Sequence, residues 1–206
     1  MIKYDNNKIM FNFRSDNISN KKSENNKLFG LWIYLMSDCI MFAVLFSIYA
    51  IISSNIDINI ISNKIFNLSY VLLETFLLLL SSLSSGLTVT SMYKNKINML
   101  FLYLILTFCL GLMFIFLEIY EFYKLIIDNL GPNQHALFSI FFTLVGMHGI
   151  HIFFGLILIL SILYQIQKLG LTNIIYTRIL CFNIFWHFLD IIWICIFTFI
   201  YLNGCI

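Results

Sequence analysis

The sequence predicts an all-α polytopic membrane protein, a bundle of five transmembrane helices. Three observations carry that prediction. Hydrophobic residues make up 61% of the chain and charged residues only 11%, with a mean hydropathy of +0.92. That is too little charge to cover a soluble surface. A bilayer core of about 30 Å needs roughly 20 apolar residues in a helix, and runs at 28–52, 68–92, 97–120, 136–165 and 179–202 reach that length. The third observation is where the cations fall. Lys3, Lys8, Arg14, Lys21, Lys22, Lys27, Lys94, Lys96, Lys168 and Arg178 lie on one side of such a bundle, and only Lys64 and Lys124 on the other. The positive-inside rule then predicts a cytoplasmic N-terminus and an external C-terminus, in keeping with an odd number of spans. The net charge of +2 carries no signal for nucleic acid.

Taken in order, residues 1–27 are polar and rich in Asn and Lys. They lack the apolar core and small-residue cleavage site of a signal peptide, so they read as a disordered cytoplasmic tail. Residues 28–206 form one membrane domain. The connections are short apart from 53–67 and 121–135, and the second holds the only proline, in the turn cluster "DNLGPNQH". No span is broken by Gly and Pro in the manner of transporter midplane sites. Cys39, Cys109, Cys181 and Cys195 fall within spans and Cys205 at the external end, without a CxxC pair. No disulfide framework is expected.

Helical periodicity lines up the polar residues of each span on one stripe. The stripes are Tyr34, Asp38 and Tyr49; Glu74, Ser81, Ser85 and Thr88; Thr107, Gly111, Glu118 and Glu121; His148, His151 and Gly155; and His187, Asp190, Thr198 and Tyr201. An ionisable group at a helix centre costs about 2.5–3.5 kcal/mol on insertion scales, so these groups are expected to face other helices or a partner subunit. The small residues of "SSLSSG" (81–86) suit close helix approach. The candidate site is therefore a buried polar seam, structural or proton-related, of Asp38, Glu74, Glu118, Glu121, His148, His151, His187 and Asp190. No catalytic, cofactor-binding or metal residue is assigned.

Two chemical alternatives stay open on spacing alone. Glu118 and Glu121 have the character of carboxylate metal ligands, although a di-iron bundle wants Glu-x-x-His on paired helices. Here E-x-x-E, H-x-x-H and H-x-x-D occupy separate spans. Haem ligation by His148 or His151 together with His187 is geometrically open. The simpler reading has the histidines bonded to Glu118, Asp190 or backbone carbonyls. Glu121, near a span end, reads equally as solvated, Glu74 as an acid bonded by Ser or Thr near the external face, and His135 as a solvated loop residue. Trp32, Tyr120 and Tyr201 read as interface anchors. As a function, the seam by itself fits a small transporter or proton channel using the acids and histidines as a relay.

The stretches "GLWIYLMSDCIMFAVLFSIYA" (30–50), "VLLETFLLLLSS" (71–82), "LEIYEFYKLI" (117–126), "GPNQHALFSIFFTLVGMHGIHIFFGLI" (131–157) and "FWHFLDIIWICIFTFIYLNG" (185–204) resemble, in order, subunit III of the haem-copper respiratory oxidases. The combination of the H-G-x-H and W-H-F-x-D blocks is the specific part. Five spans are similar to the short subunit III of the quinol-oxidase branch, the cytochrome o type of bacterial inner membranes. The resemblance implies a noncatalytic subunit of a complex that oxidises ubiquinol, reduces oxygen to water and pumps protons. It implies haem b, haem o and copper in subunit I, direct contact with subunit I, subunits II and IV in the same complex, and phospholipid against the bundle. The family's reactive intramembrane carboxylate falls on Asp38, here an Asp where longer subunits carry Glu. Glu118 and Glu121 match the family E-x-x-E, His148 and His151 its H-x-x-H, and His187 and Asp190 its H-x-x-D. Asp38 is expected to hydrogen-bond Tyr34 or a neighbouring helix, giving structural support and influencing nearby proton uptake.

Overall fold

The computed structural model describes the backbone of residues 6–54, 68–94, 96–128, 131, 136–170 and 172–202, with side chains from residue 26 onward except at 54, 68, 173 and 202. Every element among the described residues is helical. They are α1 (Asn6–Ser54), α2 (Leu68–Tyr93), α3 (Ile97–Ile127), α4 (Ala136–Leu169) and α5 (Asn173–Ile196), the last continuing into a π-helical turn (Phe197–Leu202). Five stretches are long and apolar enough to cross a bilayer: Asn26–Ser53, Ser69–Tyr93, Ile97–Ile127, Ala136–Leu169 and Ile174–Tyr201. Lys3, Lys64, His135, Cys205 and the lone Pro132 lie outside the described residues.

The helices run longer than hydropathy alone predicts. α1 starts at Asn6, inside the polar tail for which composition predicts disorder; no glycine or proline occurs between residues 6 and 29 to stop it. α3 continues through Glu121 and Lys124 to Ile127, so the first turns of the expected 121–135 connection are helix. Charged residues end the apolar run there without ending the helix. α5 begins at Asn173, before the apolar run, because the break is set by the connection. Gly170 takes φ 66°, the left-handed value glycine tolerates, and its N–H closes on the Ile166 carbonyl at 3.1 Å. Thr172 is extended, with φ −100° and ψ 159°, before α5 starts.

Contacts divide the chain into Met1–Asp38 and Cys39–Ile206. Within the second unit α2 packs on α3 and α5, and α4 on α3 and α5. Its centre is aromatic, with Trp186, Trp193, Tyr201, Phe114, Phe138 and Phe141 almost fully buried. Large apolar side chains such as Phe76, Phe116, Phe153 and Leu83 point outward, as lipid requires of a helix bundle.

α2 shows how this fold holds polar groups in an apolar medium. Ser81, Ser84, Ser85, Thr88 and Ser91 are buried. Each hydroxyl donates back to a carbonyl one turn earlier, Leu78, Ser81, Ser82, Ser84 and Thr88 respectively, at 2.7–3.0 Å. A donor satisfied on its own helix needs no partner across the interface, which leaves these small side chains to set helix approach.

Candidate functional site

The first level of the seam is built around room made by glycine. Gly111 on α3 and Gly155 on α4 face the indole of Trp186 on α5. A Cβ added at Gly155 would lie 2.8 Å from Trp186 Cζ3, and one at Gly111 3.1 Å from Cη2. Trp186 thus fills a notch that two helices leave open. Its one polar atom, Nε1, donates to Ser81 Oγ at 3.0 Å, 105 residues away in the chain. One side chain ties together four helices, α2 to α5. Sequence periodicity places Ser81, Gly111 and Gly155 on inward stripes but does not single out Trp186. The signal is present as two glycines on facing stripes, since an absent volume on both helices calls for a large side chain.

The second level carries the acids. Glu118 lies about 10 Å further along α3 than Gly111 at 1.5 Å per residue and is 3% exposed. Its carboxyl presses against α4, where a Cβ at Gly149 would meet Glu118 Oε1 at 2.5 Å. Oε1 has no hydrogen-bond partner among the described residues. One turn on, half-buried Glu121 accepts a hydrogen bond of 3.0 Å from the Tyr201 hydroxyl. Glu74 of α2 is buried too, with Oε2 unpartnered among the described residues. It lines the same cleft as Glu121, with Tyr70, Tyr120, Lys124 and Asp128. Tyr201, placed by periodicity on the polar stripe of its span and also read as an interface anchor, is fully buried. The π-helical turn adds a residue to the winding at this point and carries Tyr201 between Phe141 and Trp193, with ring centroids at 5.8 and 6.5 Å.

The histidines divide. His148 is fully buried, its ring 5.8 Å from Phe114 and 5.1 Å from Trp193. Its Nε2 donates to the Leu189 carbonyl at 3.2 Å, which assigns the proton to Nε2 because a carbonyl only accepts. His151 donates from Nδ1 to the Met147 carbonyl at 2.7 Å and packs on Phe42 at 5.5 Å. Backbone carbonyls therefore take these bonds. His187 departs from the expected seam: its side chain is 46% exposed, while Asp190 beside it is buried, with 3.9 Å between His187 Nδ1 and Asp190 Oδ2. At i and i+3 the two directions differ by about 60°, and the edge of the packed face runs between them. Among the described residues no group of three or more His, Cys, Asp and Glu is arranged to hold a metal ion.

In the first unit, the Tyr34 hydroxyl and the Asp38 carboxyl share a hydrogen bond. Their i,i+4 spacing puts them one turn apart on one face.

These features define a class: a polytopic helical membrane protein that buries acids and histidines within its helix bundle. The family described as "Cytochrome c oxidase subunit III" matches residues 17–205. The chain is 72% identical over 186 residues, 90% of this chain and 91% of the relative, to the "Cytochrome bo(3) ubiquinol oxidase subunit 3" of Buchnera aphidicola subsp. Acyrthosiphon pisum. A protein of the same name from Pseudomonas aeruginosa is 46% identical over 184 residues, 89% of this chain and 88% of the relative. The "Quinol oxidase subunit 3" of Bacillus subtilis is 34% identical over 185 residues, 89% and 91% of the two chains. The chain belongs to the cytochrome c oxidase subunit III family.

Proposed function

We propose that this chain is the third, noncatalytic subunit of a proton-pumping haem-copper quinol oxidase of the cytochrome o type. It supports a complex that oxidises ubiquinol and reduces oxygen to water. The observation that carries the reading is the family match over nearly the whole chain, joined to relatives named as oxidase subunits at 46–72% identity. The relatives named for ubiquinol are nearer in identity than the Bacillus protein named for quinol, which favours ubiquinol.

In this reading haem b, haem o and copper sit in subunit I, which this chain flanks, with subunits II and IV in the same complex. The chain is multi-pass in a bacterial inner membrane, with its N-terminus cytoplasmic and C-terminus periplasmic, as the distribution of Lys and Arg favours. Within the second unit, Glu74, Glu118, Glu121, His148, His151 and Asp190 act in support, fixing helix approach and favouring the stability of the neighbouring subunit I. The Tyr34–Asp38 pair holds one carboxyl ready to influence proton uptake there. Phospholipid covers the outward apolar faces.

A tagged purification from native membranes in mild detergent tests this. Mass spectrometry of the co-purifying chains and a reduced-minus-oxidised spectrum are expected to show a large haem-bearing partner, with quinol-driven oxygen uptake in the same fraction. A chain that emerges alone, colourless and proton-conducting on reconstitution would replace this reading with the relay channel.

A further inference from the structure

Where α2 begins and α3 ends, Tyr70, Glu74, Tyr120, Glu121, Lys124 and Asp128 line one cleft. Glu74 lies about 8 Å inside its span from Ser69, and Glu121 about 9 Å from the end of its span at Ile127, at 1.5 Å per residue. The cleft is thus within reach of the membrane interface. Its wall is rich in acceptors. Glu74 is 1% exposed yet forms part of that wall, and its Oε2 has no hydrogen-bond partner among the described residues. Leaving a buried carboxyl oxygen without a donor is costly. Glu118 and Glu121 stand close enough for their charges to act on Glu74. Among the described residues the wall sets one cation, Lys124, against the acids Glu74, Glu121 and Asp128, and the charge of Lys124 acts on Glu121. Tyr70 and Tyr120 add half-exposed aromatic surface, which attracts a cation. A cavity volume of about 30 Å³ admits a head group the size of a water or two.

We propose that this cleft binds a primary ammonium group, which enters from the interface and donates to Glu74 Oε2. An ammonium is the size of a water and brings three donors with a positive charge, so it complements both the spare acceptor and the excess of acids. A metal ion suits the cleft less well, because among the described residues no group of three or more His, Cys, Asp and Glu is arranged to hold one. A quaternary ammonium has the charge but no N–H, and an acyl chain has neither. The chemistry is shared by two sources, the headgroup of an aminophospholipid and a soluble amine. The inference goes beyond the oxidase reading and concerns a site that lies wholly within this chain.

The test places the full chain, in whatever complex it purifies with, in nanodiscs of three kinds. One holds phosphatidylcholine, one includes phosphatidylethanolamine with the same acyl chains, and one holds phosphatidylcholine with added ethanolamine. Choline is the control for ethanolamine. Hydrogen–deuterium exchange is read on peptides spanning 69–76 and 117–128. Exchange there is expected to slow with phosphatidylethanolamine or ethanolamine, relative to phosphatidylcholine alone or with choline. Slowing with the lipid only assigns the headgroup as source, and slowing with ethanolamine a soluble amine; either supports the site. Glu74→Met, which removes the acceptors at similar volume, is expected to abolish the difference, and Glu74→Gln to reduce it. No slowing that depends on the primary amine overturns the proposal, as does equal slowing in Glu74→Met. Should Glu74→Met fail to assemble, Glu74→Gln is read alone, and slowing equal to that of the unaltered chain overturns the proposal. Purification without a haem-bearing partner defeats the oxidase reading and leaves this readout intact, so the two failures are distinct.

Discussion

The two levels of the bundle solve one problem in different ways. At the Trp186 level, glycine removes volume, a rigid ring refills it, and the ring's single donor finds Ser81 at 3.0 Å. At the Glu118 level, glycine again removes volume, but what enters is a flexible carboxyl with an oxygen unpartnered among the described residues. The first level is complete within the chain in both shape and hydrogen bonding. The second is complete in shape only. Small residues are thus necessary at both levels, and what they admit decides how much a substitution costs.

The largest effect is expected from removing the ring. Trp186→Ala empties the notch among four helices and should cost about 3–5 kcal/mol, in the range of large-to-small core substitutions. The check is the thermal midpoint of the detergent-solubilised complex. Gly155→Ala comes next. Its Cβ meets a buried ring that cannot swing aside, and overpacking of that kind costs about 1–3 kcal/mol. The clash should shrink in a Trp186→Phe background, which deletes the contacting ring atoms, and a double-mutant cycle would read that coupling. Gly149→Ala is expected to cost less than Gly155→Ala, even though its added Cβ would approach its neighbour to 2.5 Å, against 2.8 Å at Gly155. A carboxyl at the end of a Glu side chain can turn away. The reverse order would show that Glu118 is held as rigidly as Trp186 and would break the comparison. Ser81→Ala should be the smallest, about 0.6 kcal/mol, the mean for hydrogen bonds between membrane helices, since packing and not the bond holds Trp186.

Much of this is legible in the sequence. Hydropathy locates five spans because a bilayer demands long apolar helices, and periodicity puts Glu118, His148 and Asp190 inward because exposing an acid or imidazole to lipid is costly. Span ends are less legible: α3 runs on through Glu121 and Lys124, whose charges end an apolar run but suit a helix terminus at the interface. Tyr201 falls on the same periodic stripe as Asp190 and is fully buried, although its place near the span end also let it read as an interface anchor. His187 and Asp190 share a motif, yet about 60° separates them on the helix and the packed face ends in between. Trp186 is apolar by composition, so a search for polar stripes passes over the residue that joins them.

The central claim is that Glu74, Glu118 and Asp190, the acids buried in the second unit, serve the packing of a supporting subunit and take no part in turnover. Quinol-driven oxygen uptake per haem, measured on the purified complex carrying Glu118→Gln, tests it most directly. Glutamine keeps the shape against Gly149 and removes the ionisable proton. The account predicts an initial rate per haem equal to that of the unaltered complex, with this subunit fully retained. A collapse of that rate in a complex with intact subunits and haem content would contradict it and make Glu118 part of the proton path.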